Sequence, residues 1–131
     1  HELHGNLWRV RCDRCGVKVQ DGVVLREQLR CPTCAGWWRP DIVWFEDYLD
    51  DGTVQAATAA IAGRDLFVSI GTSAVVYPAA ALPQHAADNG ALCVEINPDP
   101  TPASHFYSVH LRGPATAMLA RLAASAPELL A

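Results

Sequence analysis

Four of the five cysteines form two pairs with the spacing C-x2-C, and fifteen residues separate the two pairs. The first pair is Cys12 and Cys15, and the second is Cys31 and Cys34. Each pair can present two thiolates on a short knuckle, and four thiolates suit one tetrahedral metal ion. Zinc is the default metal for four sulfur ligands, because it is redox-inert and tolerates this geometry. The spacing therefore predicts a zinc ribbon over residues 8–37, a segment too small to keep its shape without the metal.

Two other states of the paired cysteines are open, namely two disulfides or four free thiols. Disulfides need an oxidising compartment, and no secretory signal is visible in the sequence. A thiol redox pair would need only one C-x2-C. The fifth cysteine, Cys93, lies in the apolar run LCVEI, which predicts a small buried side chain.

Composition narrows the class of protein. Half of the 131 residues are hydrophobic and 18% are charged, which excludes wholesale disorder. No apolar run approaches the roughly 18 residues that span a bilayer, so we expect a soluble chain without a membrane partner. The location that we expect is cytoplasmic. The net charge of -4 argues against nucleic acid as the partner of the chain as a whole. Because the first residue is His and not Met, we expect the chain to be part of a longer protein.

Strand-like and helix-like segments alternate after the ribbon. The predicted strands are 41–45, 66–70, 92–96 and 108–111, and the predicted helices are 53–62, 78–89 and 115–124. Within the ribbon, short strands are predicted at 17–19 and 23–25, with a turn at Asp21-Gly22. The alternation predicts an α/β fold, in which helices flank a parallel sheet.

Ligands of such a sheet bind just past the carboxyl ends of its strands. Three sets of residues are expected there: Phe45-Glu46-Asp47, Gly71-Thr72-Ser73 and Asn97-Pro98-Asp99. Glycine allows a close backbone approach, and hydroxyl and amide groups can bind phosphate or ribose. Ordinary loop residues are the alternative interpretation, and the dinucleotide fingerprint G-x-G-x-x-G is absent from the sequence.

A histidine beside a glycine, His4-Gly5, precedes the ribbon. Its imidazole could act as a general base, because histidine titrates near neutral pH. Considered alone, a histidine is more often an ordinary polar residue. The other four histidines are interpreted in that way.

Four stretches of the chain resemble the sirtuins, the family of NAD-dependent protein deacylases. Residues 1–6 (HELHGN) resemble the segment that ends in the catalytic histidine, and the two C-x2-C pairs resemble the family's zinc ribbon. Residues 39–45 (RPDIVWF) resemble the strand that lines the acyl-lysine tunnel. Residues 71–73 with 75–78, and then 95–97, resemble the NAD-binding loops. The resemblance covers essentially the whole chain and is specific, because all four stretches occur in the family's order.

The resemblance implies a role for each matching residue. His4 matches the general base, which in the family deprotonates a ribose hydroxyl, and the backbone of Val43 matches the acceptor for the substrate lysine nitrogen. Four sulfur ligands leave no position open for water, so the zinc would be structural. The residues implied to bind substrate are Val43, Trp44 and Phe45, and those implied to bind NAD are Gly71, Thr72, Ser73, Asn97, Pro98, Asp99 and Ala115.

The resemblance also implies a domain organisation. Residues 1–7 and 38–131 would belong to a Rossmann-like domain with helices on both faces of its sheet, and residues 8–37 to the zinc-ribbon module. The N-terminal half of the family's fold would precede residue 1. The match is closest to the branch that includes desuccinylases and many bacterial deacylases. One departure is Glu46, which stands where the family has a glycine after the tunnel strand.

The implied function is NAD-dependent removal of an acyl group from protein lysine, which releases nicotinamide and O-acyl-ADP-ribose. Such an enzyme is a transferase of the deacetylase or desuccinylase type, and a mono-ADP-ribosyltransferase activity is a variant of it. The expected partner is an acyl-lysine protein or peptide, and the full-length enzyme is expected to be a monomer. The alternative is a zinc-ribbon module that binds nucleic acid or protein without catalysis. Its support is the set of basic residues in the ribbon: Arg9, Arg11, Arg14, Lys18, Arg26 and Arg30.

Overall fold

The computed structural model describes residues 1–20 and 28–125. The chain divides into two compact units, His1–Val54 and Gln55–Ala131, and each unit contains its own three-stranded sheet. The strand predicted at 23–25, the turn predicted at 21–22 and Arg26 lie outside the described residues.

An antiparallel sheet with the strand order β2-β1-β3 builds the first unit. Its strands are β1 (Gly5–Cys12), β2 (Lys18–Val19) and β3 (Trp38–Ile42). The register of β1 on β3 shifts between Asn6 and Val10. Pro40 is tolerated in β3 because a strand at the edge of a sheet need not donate every backbone N–H to a ladder.

The core of the first unit is small and surrounds the predicted metal ligands. Val10, Cys12, Cys31 and Trp38 are buried in one cluster, against which Val19 and Cys34 pack. Two of these buried side chains are thiols that would serve as ligands, so little apolar surface remains to hold the unit together. This agrees with the expectation that a metal supplies much of the stability of the ribbon.

The strand predicted at 41–45 is wrong in its bounds and in its partner. The observed β3 begins at Trp38, ends at Ile42 and pairs antiparallel with β1. The backbone then turns, because the N–H of Asp47 donates to the carbonyl of Trp44 at 3.0 Å. Residues 45–47 therefore follow an antiparallel strand, and the prediction that they end a strand of the parallel sheet is wrong.

A parallel sheet with the strand order β4-β5-β6 builds the second unit. Its strands are β4 (Leu66–Ile70), β5 (Leu92–Asn97) and β6 (Val109–Arg112). The helices are α1 (Asp51–Ile61), which leads into this unit, α2 (Leu82–Asp88) and α3 (Ala115–Ser125), and both α2 and α3 contact β5. The predicted α/β fold with a parallel sheet and helices is confirmed.

The second core cluster contains the predicted buried cysteine. Cys93 is 1% exposed and packs with Ala86, Ala103 and Tyr107. Small side chains dominate this cluster, so that α2 can approach the sheet closely.

Local signals explain the helix limits. The carboxylate of Asp50 caps α1, accepting from the backbone N–H of Thr53 at 2.7 Å and from its hydroxyl at 2.8 Å. The helix predicted over 78–89 is divided into a 3-10 turn, Ala79–Ala81, and α2. Pro83 lies in the first turn of α2, where its missing N–H is tolerated. No helix among the described residues is both long and apolar enough to cross a membrane.

Candidate functional site

The four paired cysteines converge at one point of the first unit. We call Cys12, Cys15, Cys31 and Cys34 the cysteine cluster, and its sulfur atoms all lie within 4.8 Å of one another. The distance is 3.4 Å between the sulfurs of Cys12 and Cys34, and 3.7 Å between those of Cys15 and Cys31. Sulfurs bound tetrahedrally at about 2.3 Å from zinc would be separated by about 3.8 Å. The cluster therefore fits a zinc ion with four sulfur ligands.

Each C-x2-C pair is folded into a tight turn by its own backbone. The N–H of Gly16 donates to the carbonyl of Cys12 at 3.1 Å, and the N–H of Ala35 donates to the carbonyl of Cys31 at 2.8 Å. Gly16 and Ala35 both have a positive φ, of 72° and 58°. The two knuckles thus share one backbone geometry, which directs both thiols of each pair toward the same point.

Backbone amides and a glycine complete the surroundings of the sulfurs. The N–H groups of Arg14 and Gly36 donate to the sulfurs of Cys12 and Cys34, each at 3.4 Å. A Cβ on Gly36 would lie 2.8 Å from the sulfur of Cys12 and 2.6 Å from the Cβ of Arg14. Only glycine fits at this position without moving the second knuckle.

The thiols of the cysteine cluster influence one another's ionisation. Burial opposes ionisation of Cys31, but the backbone N–H groups of Thr33 and Cys34 outweigh it and lower its pKa to about 7. The N–H of Gly36 favours ionised Cys34, yet burial and the neighbouring thiols raise the pKa of Cys34 to about 12. Thiolates that share one small volume resist the loss of further protons. A zinc cation bound among the four sulfurs would offset the repulsion between the thiolates and favour their ionised form.

A buried carboxylate joins the strands of the first unit. The Asp41 side chain is 5% exposed, and its oxygen lies 2.5 Å from the Nε of Arg9 and 3.1 Å from the Nζ of Lys18. Burial opposes ionisation of Asp41, but the hydrogen bonds from Arg9 and Lys18 outweigh it and lower its pKa. These pairs connect β3 to β1 and β2. A cavity of about 480 Å³, lined in part by Asp41, Gly5 and Val43, lies beside them.

His4 and the predicted substrate segment are adjacent in the first unit. The N–H of Val43 donates to the carbonyl of His4 at 3.0 Å, and the His4 side chain is exposed. Phe45 is 99% exposed, and Trp44 is 55% exposed. The structure therefore brings the predicted base and the first residue of the predicted substrate segment together and leaves two aromatic side chains open to a ligand.

Polar contacts fix the backbone that follows Val43. Asp47 accepts from the guanidinium of Arg39 at 2.9 Å and from the N–H of Trp44 at 3.3 Å. The hydrogen bond from Arg39 lowers the pKa of Asp47, assisted by the N–H of Trp44. Glu46, the residue that replaces the family's glycine, is exposed within this turn.

The predicted cofactor residues meet at the carboxyl edge of the parallel sheet in the second unit. Gly71 follows β4, Asn97 ends β5, and Ala115 begins α3 just after β6. The Asn97 side-chain amide donates to the carbonyl of Thr72 at 2.7 Å. The N–H of Gly113 donates to the carbonyl of Asn97 at 3.4 Å. Asn97 thus joins all three loops.

The first of these loops has an unusual backbone and an open surface. Gly71 has a φ of 62°, and a Cβ there would meet no atom within 4 Å. The Thr72 hydroxyl accepts from the N–H of Ala74 at 3.2 Å, and Ala74 has a φ of 51°. The side chains of Ser73, Pro98 and Asp99 are exposed at the same edge of the sheet. The amide and carboxylate groups at this edge can hydrogen-bond to the hydroxyls of a ribose, and hydroxyl groups there can donate to phosphate.

A buried polar network behind these loops was missed by the sequence analysis. Glu95 is 2% exposed and is surrounded by polar side chains. Burial opposes its ionisation, but hydrogen bonds, led by those from Ser104 and Thr101, lower its pKa. The available signal was a carboxylate within the otherwise apolar run LCVEI of β5. We call Glu95, Thr101, Ser104, His110 and Arg112 the Glu95 network.

Comparison with known proteins identifies the family. The model of the Sir2 family matches residues 1–78, which are more than half of the chain. The chain belongs to the Sir2 family. Among the Sir2 relatives, an NAD-dependent protein deacylase of Mycobacterium tuberculosis is 39% identical over 99% of this chain and 57% of its own length. One from Thermus thermophilus is 41% identical over 97% of this chain and 50% of its own length.

Solved Sir2 structures share the fold. A mutant Sir2 homologue in complex with ADP ribose has a TM-score of 0.86 and 34% identity, over 98% of this chain and 52% of that one. A Sir2 structure with a p53 peptide and NAD+ has a TM-score of 0.83 and 27% identity, over 95% of this chain and 54% of that one. The Sir2 chain described here therefore spans about half the length of the relatives and structures that it matches.

Proposed function

We propose that this chain is part of an NAD-dependent protein-lysine deacylase that releases nicotinamide and O-acyl-ADP-ribose. Membership of the Sir2 family and the relatives named as NAD-dependent protein deacylases support the proposal. The observation that carries it is the meeting of three loops at the carboxyl edge of the parallel sheet, where Asn97 is hydrogen-bonded to Thr72. This edge is where α/β folds bind nucleotides.

The proposed cofactor site is that edge of the second unit. Gly71, Thr72 and Ser73 would contact phosphate or ribose, and Asn97, Pro98 and Asp99 would hold the adenosine ribose, with Ala115 near the adenine. The Asn97 side chain already donates to Thr72, so its carbonyl oxygen remains the part of the amide suited to accept from a ribose hydroxyl. NAD, when bound, supplies a ribose carbon with nicotinamide as the leaving group.

The proposed catalytic group is the imidazole of His4, which would take a proton from a ribose hydroxyl. A neutral imidazole can accept that proton near physiological pH. The substrate segment Val43, Trp44 and Phe45 would bind an acyl-lysine peptide. The hydrogen bond from the Val43 N–H to the His4 carbonyl supports this assignment, because it fixes the spacing between the base and that segment.

The proposed role of the metal is structural. Four sulfurs would complete a tetrahedral zinc site and leave no position for water or substrate. In the complete enzyme, residues 8–37 would form the zinc-ribbon module, and residues 1–7 and 38–131 would belong to the NAD-binding domain. A cytoplasmic location is part of the proposal, because a reducing compartment keeps the cysteines available to the metal.

The test measures nicotinamide release by the complete protein with NAD and an acetyl-lysine peptide. We expect His4→Ala to lower turnover by roughly 10²- to 10⁴-fold, the usual contribution of a general base. Zinc content should remain at one ion per chain, because the imidazole is outside the cysteine cluster. The matched control is His105→Ala, which removes an exposed imidazole from the second unit. Near-normal turnover of His4→Ala would contradict the proposed role of His4, and a complete protein that releases no nicotinamide would contradict the proposed function.

A further inference from the structure

The Glu95 network has a centre that the proposed chemistry does not use. The Glu95 side chain is 3% exposed and lies on β5, two residues before Asn97. Its Oε1 accepts from the Thr101 hydroxyl at 2.8 Å, and its two oxygens accept from the Ser104 hydroxyl at 2.9 and 2.8 Å. A carboxylate is rarely buried unless its hydrogen-bonding capacity is filled. A fully paired, buried carboxylate fixes the positions of the groups that donate to it.

Arg112 connects the buried carboxylate to the candidate ribose loop. Its Nη2 lies 2.7 Å from the Oε2 of Glu95, and its Nη1 donates to the carbonyl of Asp99 at 3.1 Å. Because the guanidinium is a rigid planar fork, the position of Glu95 sets the position of the Asp99 carbonyl. His110 adds a contact from Nδ1 to the same Glu95 oxygen at 3.1 Å.

The remaining contacts hold the same loop at both ends. The N–H of Thr101 donates to the Ser104 hydroxyl at 2.7 Å, and that hydroxyl donates in turn to Glu95. At the other end, the Asn97 carbonyl accepts from Gly113, the residue after Arg112. The loop between Asn97 and Thr101 is thus attached to Glu95 through Arg112 on one side and through Thr101 on the other.

We propose that Glu95 is a positioning residue for the adenosine half of NAD, acting through Arg112 on the loop that carries Asn97 and Asp99. This inference rests on the proposed function. Glu95 is buried, so it acts on the cofactor only through the groups that it holds. A loop held in its binding geometry loses little conformational freedom when the ligand binds.

The test compares Glu95→Gln with Arg112→Gln in the complete protein. Glutamine keeps the shape of Glu95 and can still accept from Thr101 and Ser104 through its single carbonyl oxygen, but it presents an amide nitrogen to Arg112. We expect each variant to bind ADP-ribose about tenfold more weakly, as for the loss of one hydrogen bond to a charged group. The double variant should bind no more weakly than the weaker single variant, because both changes remove the same connection.

Steady-state nicotinamide release separates positioning from a general structural effect. The KM for NAD should rise by about the same tenfold in both variants, while the KM for an acetyl-lysine peptide and the zinc content stay at the parent values. The matched control is Asp88→Asn, which removes an exposed carboxylate from α2 in the same unit. It should bind ADP-ribose as the parent protein does.

Three results would overturn the inference. Unchanged ADP-ribose affinity in Glu95→Gln is the first, and additive losses in the double variant are the second. The third is an equal rise in both KM values with a lower melting temperature, which indicates a structural role only. If Glu95→Gln does not fold, the ADP-ribose affinity of Arg112→Gln decides alone. The Arg112 side chain is one-third exposed, so we expect this variant to fold. A parent protein that binds neither ADP-ribose nor NAD would instead overturn the proposed function and the inference with it.

Discussion

At the scale of single residues, the cysteine cluster is expected to contribute most to stability. Structural zinc contributes on the order of 10 kcal/mol in small peptides, and Cys31 is a buried member of the cluster. We therefore expect Cys31→Ala to lose stoichiometric zinc and to unfold the ribbon, as measured by elemental analysis and circular dichroism. Cys93→Ala is the control, because it removes a buried thiol from the second unit and should retain one zinc per chain. Full zinc content in Cys31→Ala would refute the metal assignment.

Gly5, next to the proposed base, has no room for a side chain. Its φ is 76°, and a Cβ there would lie 1.9 Å from the carbonyl oxygen of Asp41 in the paired strand. Gly63 has a similar φ of 69°, but a Cβ there would meet no atom within 4 Å. Gly63→Ala should therefore lower the free energy of unfolding only by the strain of a left-handed backbone, about 1–2 kcal/mol. Gly5→Ala should lower it by clearly more. Denaturant unfolding of the two variants tests this. Equal losses of stability would show that the close approach of Asp41 to Gly5 does not exclude a side chain at residue 5.

At the scale of elements, the ion pairs of Asp41 hold the antiparallel sheet together. Hydrogen bonds to charged groups typically contribute about 1.5–3 kcal/mol, and the buried Asp41 is paired with the partly exposed Arg9 on β1 and Lys18 on β2. We expect Asp41→Asn to lower the free energy of unfolding by an amount of that order. The control, Glu46→Gln, removes an exposed carboxylate from the same unit and should change stability little.

The same pairs predict how stability depends on pH. Folding lowers the pKa of Asp41, so its contribution is complete above the ordinary aspartate pKa of about 4 and is lost as the pH falls through the folded value. Thermal melts between neutral and acidic pH should show a steeper loss of stability in the parent protein than in Asp41→Asn. Parallel pH profiles for the two proteins would contradict this role of Asp41.

At the scale of the whole molecule, the parallel sheet has an edge suited to a further strand. Among the described residues, β4 pairs only with β5, and its side chains Leu66, Val68 and Ile70 are 54%, 41% and 45% exposed. Apolar residues on an unpaired edge strand favour association with another chain. The relatives are also about twice as long as this chain.

We therefore expect residues 1–131 alone to self-associate and to release no nicotinamide from NAD. Co-expression with the remainder of the complete protein should restore a discrete species and activity, as measured by sedimentation and a nicotinamide assay. A monomeric, cooperatively melting 1–131 that consumes NAD in the presence of an acyl-lysine peptide would contradict this expectation.

Features that depend on short stretches of chain could be predicted from the sequence alone. The cysteine spacing predicts a cluster that the structure places within one metal's reach, because each knuckle is a local turn. The strand 66–70 agrees with β4 at both ends, since an apolar run that ends at a glycine defines its own limits. The four-part resemblance likewise predicts the family that the comparisons identify.

Features that depend on which elements meet were decided only by the tertiary structure. The β-branched and aromatic run at 41–45 predicts a strand but carries no information about its partner, which proved to be β1. Glu95 and Arg112 lie on different strands, so no local pattern joins them, and only the pairing of β5 with β6 brings them within 2.7 Å. Gly5 is required because the backbone of Asp41 approaches it across the sheet. Local propensity and ligand spacing depend on residues that are close together in the chain, whereas strand partners and buried ion pairs depend on how the whole chain packs.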